Sequence, residues 1–119
     1  MTTINIPLEP SLKMKWVDAL RSGKYKQGHT VLRDKNDNYC CLGVLCDISN
    51  AKWDSDGLNE YVTRGATIYP NRENIGKAAM NTLEQDYVTG DSVGTHLWRM
   101  NDDENISFTQ IADWIEHNL

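Results

Sequence analysis

Apolar residues recur at helical spacing in two segments whose flanking chemistry also fits a helix. Leu12, Trp16, Ala19 and Leu20 line one face of a stretch running from about Leu12 to Ser22. Pro7 and Pro10 resist helix in the leader before it, and Ser11 is placed to cap its start. Arg21 suits the negative end of the helix dipole, and Gly23 suits the left-handed position that stops the helix. At the other end of the chain, Phe108, Ile111, Ala112, Ile115 and Leu119 form a clean apolar stripe. Ser107 and Gln110 have the spacing of a capping box, and Ile106 and Ile111 that of a hydrophobic staple.

The pattern between these helices is more broken. Lys24 to His29 reads as a polar, basic loop, and Thr30 to Arg33 as a short strand. Asp34 to Asn38 is rich in residues that tolerate left-handed backbone and predicts a turn. Tyr39 to Leu42 is then the returning strand of a hairpin. Val44, Leu45 and Ile48 change to helical spacing, so a short buried helix is expected from about Gly43 to Ser49 or Asn50. Residues 51–70 are irregular, with strand-like composition at 60–63 and 66–69. Ile75, Ala79, Met80 and Leu83 predict an amphipathic helix over 72–85, which Gly76 weakens in its first turn. Residues 86–95 read as a loop, His96 to Met100 as a short ordered stretch, and Asn101-Asp102 as the start of a turn. There is no internal repeat. The expectation is a small α+β single domain over residues 1–119, with about three helices on a minimal antiparallel sheet or hairpin.

Composition narrows the function classes. With 39% hydrophobic and 24% charged residues in 119, the chain suits a globular domain large enough to fold without staples. A net charge of −5 argues against a nonspecific nucleic-acid surface, which needs clustered Lys and Arg. The acids are scattered, apart from a short cluster at Asp102-Asp103-Glu104 that reads as a solvated loop. No apolar run approaches the length of a membrane-spanning helix, so no membrane partner is expected. The N-terminus lacks a basic segment followed by an apolar one, so no secretory leader is expected either. The three cysteines are crowded into Tyr39-Cys40-Cys41-Leu42-Gly43-Val44-Leu45-Cys46-Asp47, which is no disulfide framework and fits a reducing cytoplasm.

That run is the densest chemical signal in the chain, and three readings compete for it. As packing, Cys40 or Cys41, together with Cys46, acts as a small hydrophobe with Leu42, Val44 and Leu45 beneath Trp16 and Trp114, and Gly43 admits the first or last helix closely. As catalysis, a thiol near a helix start has its pKa lowered; Cys41 would be the nucleophile, His96 the base and Asn101 the orienting group of a papain-like hydrolase. As a metal site, Cys41 and Cys46 stand at the outer limit of zinc spacing, with His29 and His96 to complete the set. The apolar residues between the cysteines, and the lack of a second cysteine pair, favour packing. No metal or cofactor is expected.

Two further candidates lie outside the run. Arg21, Lys24, Tyr25 and Lys26, with Gly23 and Gly28, have the residue types of a phosphate or nucleotide cradle. They sit at a helix C-terminus, however, where the dipole repels anions. The tryptophans at 16 and 114 read as core, whereas Trp53 and Trp98 lie in less regular stretches. With Tyr61 and Tyr69 they form the expected partner-binding surface, because exposed aromatics are favoured interface anchors.

Three blocks of this sequence resemble a recurrent family of small, uncharacterised phage and prophage proteins. They are Trp16 to Gly28 (W-x-x-A-L-R-S-G-K-Y-x-Q-G), Tyr39 to Asp47 (Y-C-C-L-G-V-L-C-D), and Met100-Asn101-Asp102 followed by Ser107 to Glu116. The resemblance implies phage origin, a host-cytoplasmic setting and a host protein as partner. The function expected on that basis is an accessory protein that binds and modulates, by inhibition, a host protein or defence system without catalysis. A cysteine hydrolase and a nucleotide-binding module are the alternatives.

Overall fold

The computed structural model describes residues 7–29, 32–34, 36–49, 82–85 and 92–119. Its first helix, α1, spans Pro10–Arg21 and buries Trp16, Val17 and Leu20; Trp16 and Leu20 belong to the face that the apolar spacing predicts, whereas Val17 is added to it and Leu12 and Ala19 are only half-buried. It starts earlier than expected. Glu9, not Ser11, is the N-cap, and its carboxylate accepts from the backbone amides of Ser11 and Leu12 at 3.0 and 2.9 Å. Pro10 therefore sits just inside the helix, where its missing N–H costs nothing. The far end is as predicted: Gly23 follows with φ of 77°, a conformation that glycine adopts without strain.

The segment read as a plain basic loop contains a strand, β1, at Lys26–Gln27. It pairs in parallel with β2 at Asn38–Tyr39, in the register Lys26 with Asn38 and Gln27 with Tyr39. Two residues carry no alternation to detect. The hairpin turn is present in reduced form. Arg33 and Tyr39 form an antiparallel bridge, the Asp34 amide donates to the Asn38 carbonyl at 2.9 Å, and the Cys40 amide donates to the Leu32 carbonyl at 3.2 Å. Asp37 takes φ of 60° in the turn. The Asp34 carboxylate accepts from the amides of Asn36 and Asn38, a local bonding pattern that fixes turns. Thr30 and Val31 of the expected strand fall outside the described residues.

The returning strand ends at Tyr39, not at Leu42. Cys40 is already the N-cap of α2, Cys41–Ile48, and its thiol accepts from the Gly43 amide at 3.4 Å. A continuous apolar run does not distinguish strand from buried helix by period, and here every residue from Cys41 to Cys46 is buried. Gly43 is needed for a close approach, but to the hairpin and not to a helix: a Cβ there would lie 1.8 Å from the Leu32 carbonyl oxygen.

The second half differs most from expectation. A helix, α3, spans Val93–Asp102, capped by the Ser92 hydroxyl on the Thr95 amide at 3.2 Å. It absorbs the end of the expected 86–95 loop, the ordered stretch at 96–100 and the expected turn at Asn101-Asp102. Val93, Leu97 and Met100 supply its buried stripe. The last helix, α4, spans Phe108–Asn118 with the predicted capping box, and it buries Phe108, Ile111, Ala112 and Ile115. Of the helix expected over 72–85, a helical turn at 82–84 is described and the rest falls outside the described residues. Leu83 in that turn joins the core.

α1 packs along α4, and α2 packs against both α1 and α3. Arg21 ties the end of α1 to α4 through Asp113 at 2.6 Å and Glu116 at 3.2 Å. The architecture is α+β, helices around a minimal sheet, as the sequence predicts. Among the described residues no helix is long and apolar enough to cross a membrane.

Candidate functional site

The three sequence blocks meet at one residue. Asn101 is fully buried, and all four hydrogen-bonding positions of its amide are filled. Its Oδ1 accepts from Gln27 Nε2 at 3.0 Å and from the Cys41 backbone amide at 3.3 Å. Its Nδ2 donates to the Gly28 carbonyl at 2.8 Å and to Asp102 Oδ1 at 2.7 Å. Gln27 extends the network to the start of α4: Nε2 also donates to the Ile106 carbonyl at 2.8 Å, and Oε1 accepts from the Phe108 amide at 3.1 Å. Trp16 Nε1 donates to the Cys41 carbonyl at 3.0 Å. One buried amide thus joins β1, α2, α3 and α4. In so apolar a setting each of those bonds is costly to lose.

This network decides how the cysteine run is read. Cys40, Cys41 and Cys46 are all buried free thiols, where the packing reading expects Cys46 and one of the adjacent pair; Cys40 caps a helix instead of continuing a strand, so the two do not point to opposite faces. Cys40 does sit at a helix start, but burial outweighs the amide of Gly43 and pushes its thiol up to about 12. Burial also drives Cys41 well above the ordinary thiol value, and raises Cys46. The Cys41 thiol donates to the Leu97 carbonyl at 3.6 Å. The Asn101 amide faces the Cys41 backbone, so no position on it is left to orient His96. The His96 ring instead lies against Trp114, with centroids 5.0 Å apart and planes tilted by 40°. A protonated, enclosed thiol with its orienting amide engaged elsewhere lacks the features of a nucleophile. Cys41, Cys46, His29 and His96 are not gathered as zinc ligands either: among the described residues no group of three or more His, Cys, Asp or Glu is arranged to hold a metal ion.

The basic loop is divided between tasks. Arg21 is held by the α4 carboxylates, whose hydrogen bonds raise its pKa further. The Tyr25 hydroxyl donates to Asp47 Oδ2 at 2.6 Å, and its ring meets Tyr39 edge-on at 5.0 Å. Burial, then the Asp47 bond, raise the Tyr25 phenol. Lys24 and Lys26 are exposed. Of the four expected ligand residues, Lys24 and Tyr25 line a common cleft and Arg21 and Lys26 do not.

That cleft, about 400 Å³ and open to solvent, lies where the ends of α1 and α2 approach. Lys15, Asp18, Ala19 and Ser22 form one wall, and Lys24, Tyr25 and Ile48 the other. Met14 stands one turn before Asp18 and is 53% exposed, the exposed large hydrophobic side chain among the described residues. The sequence reading missed Met14, Lys15, Asp18 and Ile48. The signal was present in the spacing of Lys15, Asp18, Ala19 and Ser22, which places them on one helical face. Of the expected partner surface, Trp53, Tyr61 and Tyr69 lie outside the described residues. Trp98 is half-buried against the core, and its indole N–H is buried with no hydrogen-bond partner among the described residues.

A family model described as a domain of unknown function (DUF8296) matches residues 8–119. Neither a curated protein nor a solved structure matches the chain.

Proposed function

The chain belongs to that family of unknown function, and from this premise we propose that it is a phage-encoded, non-catalytic binding domain that engages and inhibits a host protein in the host cytoplasm. The observation that carries this reading is where the reactive groups lie. Three thiols and the Asn101 amide, the chemistry shared by the resembling blocks, are enclosed in the core and bonded to the scaffold. What the described residues present to another molecule is surface: an open cleft and an exposed methionine. Buried free thiols also suit a reducing compartment. Phage origin rests on the three sequence blocks.

The test is capture of partners by the tagged full chain in host cells, with quantification against a Trp53→Ala variant. One host protein is expected at near-equal stoichiometry, reduced by the variant while its melting temperature stays that of the parent. Recovery of no stoichiometric host protein, together with turnover of any substrate by the purified chain, would overturn the reading. The half-buried Trp98 is tested with Trp98→Phe, which keeps an aromatic ring of smaller size and removes the indole N–H.

A further inference from the structure

We propose that the cysteine run makes this fold conditional on a reducing environment. A disulfide between any two of its three thiols is incompatible with α2, so an oxidant captures the chain when it opens and then holds it open. The device does not depend on any partner.

Cys41 and Cys46 are the first and sixth residues of α2, and Cys40 is its N-cap. Helix geometry sets residues five apart at about 8.7 Å between Cα atoms, and residues six apart at about 9.8 Å. A disulfide spans roughly 4.4–6.8 Å, and beyond about 7 Å it does not close without backbone movement. The adjacent pair, Cys40 and Cys41, errs the other way, because about 3.8 Å is too short for an unstrained bridge. None of the three pairs closes while α2 stands.

Nor is α2 free to bend. Its first residue is bonded on three sides: the Cys41 amide donates to Asn101 Oδ1 at 3.3 Å, its carbonyl accepts from Trp16 Nε1 at 3.0 Å, and its thiol donates to the Leu97 carbonyl at 3.6 Å. Gly43, between the cysteines, passes so close to the Leu32 carbonyl oxygen that a Cβ there would lie 1.8 Å from it. Val44 and Leu45 are fully buried. Drawing Cys46 toward Cys41 would break these contacts together. The same packing leaves each thiol-bearing residue at most 1% exposed, so an oxidant reaches the thiols through opening of the fold. In the opened chain the constraint is gone: four residues separate Cys41 from Cys46, a short loop that a flexible chain closes readily. A small-molecule disulfide such as oxidised glutathione then suffices. One protein thiolate attacks it and expels one thiol, and a second protein thiolate attacks the mixed disulfide and expels the other. Two protein thiols and one small disulfide become one protein disulfide and two small thiols, which carry off the protons.

The experiment treats the full chain with oxidised glutathione, folded in buffer and unfolded in urea. Intact mass reads the thiols and circular dichroism reads the fold. In buffer the helical signal should stay unchanged, with disulfide formation slower than in urea by about a hundredfold or more. In urea a species lacking two hydrogens should appear, separable from glutathione adducts by mass. After removal of urea that species should fail to recover the native helical signal and melting transition, and dithiothreitol should restore both. Cys46→Ala leaves only the adjacent pair, so it should form little of this species and should refold. Refolding of the disulfide-bearing parent to the native melt would overturn the proposal. So would a disulfide that forms in buffer with the helical signal intact, or an equal loss of refolding in Cys46→Ala. If that variant does not fold when reduced, the refolding of the parent decides.

Discussion

At the scale of single residues, the side chain that organises the molecule is the one its own sequence conceals best. Asn101 follows a helix-like stretch and precedes three acids, so it reads as a turn. Only the fold shows that its amide meets Gln27, Gly28, Cys41 and Asp102 together. A long-range network leaves no period in the sequence. Burial of the thiols was legible by contrast, because Leu42, Val44 and Leu45 interleave them. The consequence is testable. Asn101→Leu strands the Gly28 carbonyl and the Cys41 amide inside the core, at a cost of about 3 kcal/mol or more. The urea midpoint should drop accordingly, and the three cysteines, protected from iodoacetamide in the native parent, should label faster through opening. A variant within about 0.5 kcal/mol of the parent would mean that the network does not hold the elements together.

At the scale of elements, legibility tracked how local the determining signal is. α4 carries its own instructions: a capping box, a staple and a stripe, all within one segment. α1 was equally plain in its buried face but not at its start, where Glu9 does the capping and Ser11 lies inside the helix. α3 was missed because Gly94 near its start imitates a loop, while Ser92 and the Val93, Leu97, Met100 spacing specify a helix. The parallel β1–β2 pair depends on residues that are far apart in the chain and has almost no local code. Capping gives the sharpest check. Ser107→Ala should cost about 1 kcal/mol, and lower the melting temperature by about 3–5 °C. Ser11→Ala should lie within about 0.5 kcal/mol of the parent, since its hydroxyl only assists the exposed Glu9 carboxylate, which makes the cap. The opposite order in a thermal melt would show that the helix boundaries are misplaced.

At the scale of the whole molecule, the same burial that quiets the thiols bounds the pH range of the fold. Glu116 is held below its ordinary 4.5 by the hydrogen bonds from Arg21, and Glu9 by the amides of Leu12 and Ser11. For Asp34 burial pushes upward, yet the bonds from Asn38 and Asn36 win and its value falls below 3.8. A carboxylate depressed in the folded state adds stability above its unfolded value, and that stability is lost as pH falls through the folded one. The acid limb therefore begins near 4.5 and steepens below it. The thiols act in the opposite direction. Their folded values lie above 9.0, so their contribution is complete below 9.0 and is lost as pH rises, because the unfolded chain ionises first. Urea midpoints should hold level between these limits and fall on both sides. Arg21→Gln should flatten the acid limb, because Glu116 then titrates alike in both states. Cys46→Ala should flatten the alkaline limb just above 9.0, before the phenols and ammonium groups of the unfolded chain titrate. An alkaline limb unchanged in that variant would mean that the Cys46 thiol reaches solvent in the native state, and the cysteine run would return as a candidate for reaction as well as packing.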